Sequence, residues 1–247
     1  MTSRTRVATA MAFRDQRRRP LVAILLVIVP AYVILWSVAL TKPTPRTIGL
    51  PGGVVVATTM KALHGPGMAG MMVEFVAALV GVFVMQSALQ GDQRLIVAGF
   101  RSGEAVFARL IVLGTATLLA VVVSASVMAV DFTPASWLPV IAALALAGLI
   151  YAAIGALAGA LLDQLPATYL ILFLVMTDSI VQSPMFHTTP GRLAFLFPGY
   201  APDRLLYAGS FSPTFHAGGE LLLAVAWLAA VTTAVFVVLR RAVGAKA

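Results

Sequence analysis

The chain has 247 residues, of which 60% are hydrophobic and only 11% are charged, and its net charge at pH 7 is +8. A water-soluble globular domain carries about 25% charged residues, so this composition excludes an ordinary soluble enzyme and favours a single membrane-embedded domain over residues 1–247. The absence of cysteine excludes disulfides, cysteine nucleophiles and cysteine-ligated metal sites.

Six segments with few or no charges are long enough to cross a bilayer as helices. A hydrocarbon core about 30 Å thick requires roughly 20 apolar residues in a helix. None of the segments alternates apolar and polar residues as barrel strands do, so the sequence predicts an all-α integral membrane protein with six transmembrane helices. The predicted spans are residues 21–41, 68–89, 110–130, 137–162, 166–185 and 220–239.

The basic residues are distributed unevenly between the two sides of these spans. Twelve of the 17 Lys and Arg residues precede the first span, follow the last span or lie between spans two and three. Basic residues near span ends are retained in the cytoplasm. The sequence therefore predicts a multi-pass protein of the inner (plasma) membrane with both termini cytoplasmic. The positive charge is interpreted as a topology signal and a contact with anionic lipid, without nucleic-acid binding.

The two long connections on the outer side are rich in proline. In the first, residues 42–67, the apolar piece Val54–Leu63 would be about 15 Å long as a helix, so we expect it to lie at the membrane interface. In the second, Phe186–Gly219, prolines alternate with aromatic residues. This mixture predicts short interfacial or re-entrant helices before the last span.

The cytoplasmic loop at residues 90–109 has the sequence QGDQRLIVAGFRSGEAVFAR and combines charges of both signs with apolar residues. Two interpretations are open. The loop could rest on the membrane as an ordinary amphipathic segment, or it could be a docking element for a cytoplasmic partner.

Catalytic motifs are absent from the sequence. There is no G-x-x-x-x-G-K-[ST] phosphate-binding loop, no H-E-x-x-H and no G-x-S-x-G. The three histidines are isolated from one another and from carboxylates at ligand spacing. We therefore expect no catalytic residues, no metal site and no cofactor in this chain.

Two acids, Glu74 and Asp178, lie well inside predicted spans. Counted inward from the outer ends of their helices, both are about 9 Å deep, and Gln182 lies close to Asp178 in sequence. Intramembrane carboxyl groups face the interior of a helix bundle or a cavity, so these residues serve either as interhelical contacts or as part of a substrate pathway. Gly155-x-x-x-Gly159 predicts close helix packing, within or between subunits.

Several degenerate motifs occur in a recognisable order and spacing. They are Asp92-Gln93-Arg94-Leu95, Ala98-Gly99-Phe100-Arg101, Gly103-Glu104 and Ala108-Arg109-Leu110 between spans two and three, Tyr151–Ala156 in span four, Gln182–Met185, and Pro198–Pro202. Together with six spans and cytoplasmic termini, they make the chain similar to the membrane subunit of ABC-2 type (type V) ABC exporters, in particular actinobacterial members.

The resemblance implies a permease that exports a hydrophobic or amphipathic solute and has no ATPase site of its own. Its implied partners are an ABC ATP-binding subunit, which would hold ATP and Mg, and a second copy or a sister permease. In this family the loop between spans two and three transmits ATP-driven closure. That coupling role would fall on Asp92, Arg94, Gly99, Phe100, Arg101 and Glu104.

Two other classes of function are compatible with the composition. An ion- or proton-coupled secondary transporter would use Glu74 and Asp178 and would work without ATP. A membrane enzyme or assembly factor would require a cluster of titratable residues at one interface, which the sequence does not indicate.

Overall fold

The structure is a computed structural model that describes residues 24–97, 102–191, 193–214 and 216–244. The side chains of residues 88–106, 108 and 239–247 lie outside this description. The described part is mostly helical and contains one two-stranded sheet. In chain order its elements are α1 (Ile24–Leu40, π-helical over Ile24–Ile28), β1 (Pro45–Gly49), β2 (Val55–Thr59), α2 (Met60–Val97), α3 (Ser102–Met128), α4 (Trp137–Leu161), α5 (Gln164–Gln182), α6 (Tyr200–Phe211) and α7 (Gly218–Gly244).

Five described helices are long and apolar enough to cross a membrane, and the chain is accordingly a multi-pass membrane protein. Their apolar parts coincide with predicted spans two to six to within a few residues, except that α2 begins eight residues earlier than expected. These parts are Met60–Ser87, Arg109–Met128, Trp137–Leu161, Gln164–Gln182 and Gly218–Val238. The first predicted span corresponds to the 17-residue helix Ile24–Leu40. A sixth crossing and the cytoplasmic location of the termini stay predictions.

Helix α2 lies at the centre of the bundle, and α4 is its most extensive neighbour. A Cβ atom at Gly155 of α4 would overlap the carbonyl oxygen of Ala78 in α2, and one at Gly159 would lie 2.7 Å from the carbonyl oxygen of Val82. The two backbones touch because these side chains are missing. Gly155 and Gly159 therefore pack against a helix of their own chain.

The outer connection between α1 and α2 contains a β-hairpin, so the prediction of a helix over the whole of Val54–Leu63 is wrong, whereas its location at the membrane interface stays a prediction. Val55–Thr59 pairs antiparallel with Pro45–Gly49, and helical structure starts only at Met60. The β-branched run of Val and Thr residues favours an extended strand over a helix. Gly52 and Gly53, with φ of 75° and 76°, form the turn in a conformation that other residues rarely adopt.

Helix α6 is the short helix that occupies the second outer connection, between α5 and α7. Arg204 joins it to two other elements: its Nη1 donates a hydrogen bond to the carbonyl oxygen of Gly49 (3.2 Å), and its Nε lies 3.8 Å from Oε1 of Glu220 in α7. Gly209 packs against the start of α4, where a Cβ atom would lie 2.8 Å from Cβ of Pro139. These contacts fix α6 against the bundle, with Asp203 facing α2.

Candidate binding site

A cluster of polar side chains lies in the apolar interior of the bundle, where α2, α4, α5 and α6 meet. Glu74 and Asp178 are each only 1% exposed, and Tyr151 is fully buried. The carboxyl group of Glu74 is within electrostatic range of both Asp203 and Asp178. Carboxyl groups in such surroundings attract protons or cations, because an apolar interior does not solvate negative charge.

Asp178 is the hydrogen-bonding centre of this cluster. Its Oδ2 accepts hydrogen bonds from the hydroxyl of Tyr151 and from the backbone N–H of Gly199 (2.8 Å), and its Oδ1 accepts one from Nε2 of Gln182 (3.1 Å). The amide of Gln182 also donates to the carbonyl oxygen of Ala194 (3.0 Å). One carboxyl group thus connects α4, α5 and the segment that leads into α6.

Two buried oxygens in this region accept no hydrogen bond within the described part of the chain: Oε1 of Glu74 and Oε1 of Gln182. Most buried polar atoms in proteins have a partner, so unpaired acceptors mark a place where protons, water or a ligand can bind. Glu74 differs in this respect from Asp178, whose two oxygens are both engaged. The two acids therefore differ in hydrogen bonding: both oxygens of Asp178 are engaged, and Oε1 of Glu74 has no partner among the described residues.

Next to the cluster, α2, α5 and α6 enclose a cavity of about 590 Å³. Its size falls within the range of small-molecule sites, about 300–1,000 Å³. The wall is mainly apolar and includes five methionines: Met60, Met68, Met71, Met176 and Met185. Asp203 and Tyr207 of α6 also line it. The bundle thus holds an apolar cavity with an acid in its wall.

Helix α6 forms one side of this cavity because two glycines in α2 let it come close. A Cβ atom at Gly67 would lie 2.6 Å from the hydroxyl oxygen of Tyr207, and one at Gly70 would lie 2.9 Å from Cδ2 of Leu206. The hydroxyl of Tyr207 also lies near the side chain of Ser183. The position of Tyr207 is therefore fixed by packing against α2 and by a polar contact at the end of α5.

The protonation of Asp203 is expected to make stability depend on pH. Loss of hydration, reinforced by the nearby Asp178, raises the pKa of Asp203 from 3.8 to about 8. Between these values the folded protein holds a proton that the unfolded chain has released, so stability falls as the pH rises from 4 to 8. We expect the melting temperature in detergent to decrease over this range and the decrease to be smaller in Asp203→Asn.

Asp131→Asn is the matched control for this measurement, since Asp131 is an exposed acid 3.9 Å from Lys61 and outside the cluster. Its melting temperature should keep the pH dependence of the parent protein. Equal slopes for the parent and Asp203→Asn would contradict the assignment.

The structure places Gln182 in hydrogen-bond contact with Asp178 and Glu74 in the same cluster, an arrangement compatible with both the interhelical-contact and the pathway interpretation. Gly155 and Gly159 lie outside the cluster, at the contact between α2 and α4. Among the predicted coupling residues, Gly99, Phe100 and Arg101 lie outside the described residues, as do the side chains of Asp92, Arg94 and Glu104.

Sequence reasoning missed two members of the cluster, Tyr151 and Asp203. Tyr151 carries the only tyrosine hydroxyl in an otherwise apolar predicted span, a signal that could have been paired with the intramembrane acids. Asp203 lies in a connection that had been assigned to the interface, so nothing in the sequence indicated that it turns inward.

Within the described residues, no group of three or more His, Asp or Glu side chains converges as metal ligands.

The comparison with known proteins identifies no family for this chain. No family model, curated protein or solved structure matches the chain.

Proposed function

We propose that the chain is the membrane-spanning permease subunit of an ATP-driven ABC exporter, and that it moves a hydrophobic or amphipathic solute outward across the plasma membrane. The observation that carries this proposal is the extension of α2 and α3 beyond their apolar parts, on either side of residues 98–101. Helix α2 continues from Ser87 to Val97, about 15 Å beyond its apolar part. Helix α3 starts at Ser102, seven residues before its own apolar part begins at Arg109. Two helices thus extend past the membrane-crossing region at the same end of the bundle.

This extension is a surface on which a cytoplasmic motor can act. The proposed coupling residues Asp92 and Arg94 belong to the end of α2, Gly99, Phe100 and Arg101 belong to the connection, and Glu104 belongs to the start of α3. The sequence has no phosphate-binding loop, so ATP and Mg would be held by a separate ABC ATP-binding subunit. If the two nucleotide states of that subunit contact the extension differently, the conformational equilibrium of the permease shifts.

The proposed assembly contains a second permease subunit, either another copy of this chain or a sister permease. The methionine-lined cavity and the buried acids lie at the end of α2 opposite the extension. Force applied at one end of α2 can thus reach the binding region at the other end, because α2 is a continuous helix from Met60 to Val97 and packs against α4.

Replacing Arg94, Phe100 and Glu104 together by alanine tests the coupling. The protein is purified from its native membrane in mild detergent with the ATPase that accompanies it, and solute-stimulated ATP hydrolysis is measured. We expect stimulation to be lost while membrane insertion and yield are unchanged.

A matched triple variant at the opposite end of the bundle, with alanine at Lys42, Lys61 and Asp131, should keep the stimulation. These side chains belong to the hairpin end of the protein. Full stimulation in the first variant, or the absence of any co-purifying ATPase, would contradict the proposal.

A second candidate function is an ion- or proton-coupled secondary transporter, which is favoured by the convergence of Glu74, Asp178 and Asp203. It predicts that vesicles containing the purified chain alone accumulate solute in response to a pH gradient. Accumulation without ATP that disappears in Glu74→Gln would favour this candidate over the exporter.

A further inference from the structure

We propose that the methionine-lined cavity between α2, α5 and α6 binds an amphipathic organic cation, with its apolar groups against the methionines and its charge beside Asp203. This inference names the solute class and so rests on the proposed function for the direction of movement. The binding itself can be tested on the chain alone.

The apolar part of the argument comes from the cavity wall. Methionine side chains are flexible and polarisable, and surfaces rich in them accommodate ligands of different shapes. Five methionines contribute to this wall, together with Ile180 and Phe186. A volume of about 590 Å³ accepts a drug-sized molecule with several rings. The cavity therefore suits a bulky apolar group of variable shape.

The sign of the ligand's charge follows from Asp203. Its carboxyl group has no hydrogen-bonding or ion-pairing partner within the described part of the chain. The neighbouring Arg204 does not neutralise it, because that guanidinium is held by the carbonyl oxygen of Gly49 and by Glu220. An acid that lines an apolar cavity without a partner is complementary to a cation.

The other charged and titratable groups around Asp203 support the same sign. Glu74 from α2 and Asp178 from α5 are acids within its electrostatic range. Tyr207 on α6 and Tyr151 on α4 add hydroxyl groups. The two basic residues of the cavity wall are Arg46 and His64. Arg46 is exposed on the hairpin, where water and salt screen its charge. The groups within electrostatic range of Asp203 are therefore acids and tyrosines.

Cation binding at this position is expected to depend on pH. Loss of hydration and the nearby Asp178 raise the pKa of Asp203 to about 8, so the acid is mostly neutral at pH 6 and mostly ionised at pH 9. Only the ionised form attracts the cation strongly. The apparent affinity should therefore fall as the pH drops below 8 and level off, once Asp203 is protonated, at a value similar to that of Asp203→Asn.

Tetraphenylphosphonium and tetraphenylborate test the proposal, since the two ions have nearly the same shape and opposite charges. Binding to the purified chain in non-ionic detergent, without nucleotide or partner subunit, is measured by equilibrium dialysis at pH 6 and pH 9. We expect saturable binding of the phosphonium, tighter at pH 9, and at least about tenfold weaker binding of the borate. Asp203→Asn should weaken phosphonium binding about tenfold and remove its pH dependence, whereas Asp131→Asn should change neither.

A second variant keeps the test valid if Asp203→Asn folds poorly. Met176 is half exposed and lines the cavity, so Met176→Trp fills the space without altering an acid and should also abolish phosphonium binding. Equal binding of the two ions would overturn the proposal in favour of an apolar occupant such as a lipid chain.

Because the chain has no cysteine, Ile180→Cys is a unique cross-linking position. A cross-linked dimer that forms equally with and without the phosphonium, combined with no binding, would show that a second copy covers the cavity.

These outcomes separate the inference from the proposed function. Phosphonium binding with no co-purifying ATPase would support the cavity and refute the exporter. Stimulated ATP hydrolysis with no phosphonium binding would support the exporter and refute the ligand class.

Discussion

Gly155→Ala should destabilise the protein severely, by about 3 kcal/mol or more, because its new methyl group would overlap the backbone of α2. The contact is reciprocal: a Cβ atom at Gly81 of α2 would overlap the carbonyl oxygen of Ala152 in α4. Backbone atoms cannot rotate away as a side chain does, so the two helices would have to separate. We expect a large fall in melting temperature in detergent and a reduced yield of monodisperse protein.

Gly114→Ala is a control with the same chemical change in another helix. No atom lies within 4 Å of the position where its Cβ would be placed. Alanine is also a better helix former than glycine, by about 0.5–1 kcal/mol. The control should be neutral or slightly stabilising, and equal melting temperatures for the two variants would mean that α2 and α4 do not touch as described.

Asp178→Leu should cost about 3–5 kcal/mol, because it leaves the Tyr151 hydroxyl, the Gly199 N–H and one donor of Gln182 without their acceptor. Each unpaired buried donor costs about 1–3 kcal/mol in proteins, although interhelical hydrogen bonds in membrane proteins are often weaker than this. We expect the connection between α5 and α6 to become sensitive to protease in detergent. Asp178→Asn keeps a carbonyl acceptor and should have an intermediate effect.

A double-mutant cycle with Tyr151→Phe tests whether the two side chains interact as the structure shows. The double variant should be less destabilised than the sum of Asp178→Leu and Tyr151→Phe, because the tyrosine hydroxyl is no longer left unpaired. Exposed Asp163, at the start of α5, supplies the control Asp163→Asn, which should leave stability unchanged. Strict additivity in the cycle would exclude the hydrogen bond to Tyr151.

Hydropathy was enough to locate the five described helices that are long and apolar enough to cross a membrane. A run of about 20 apolar residues has few alternatives to a transmembrane helix, because hydrocarbon offers no partner for exposed backbone groups. Local chemistry could also have revealed the hairpin: the β-branched residues of Val55–Thr59 and the pair Gly52-Gly53 are strand and turn signals. Apolar length alone does not distinguish such a strand from a short helix.

The candidate site was only partly accessible from the sequence. Glu74 and Asp178 stand out because charged residues are rare within spans, and counting along each helix placed them at similar depth. Depth does not specify which face of a helix a residue occupies or which helices are neighbours. The convergence of Tyr151 and Asp203 on these acids therefore became visible only in three dimensions.

The sequence by itself determined that this is a helical membrane protein, since the free energy of transferring an apolar segment into lipid depends on that segment's own composition. Tertiary structure alone decided that four elements bring three acids and a tyrosine together beside a methionine-lined cavity. Such a cavity depends on how helices distant in sequence pack, and here the packing is set by glycines in α2 and α4 whose missing side chains allow close contact.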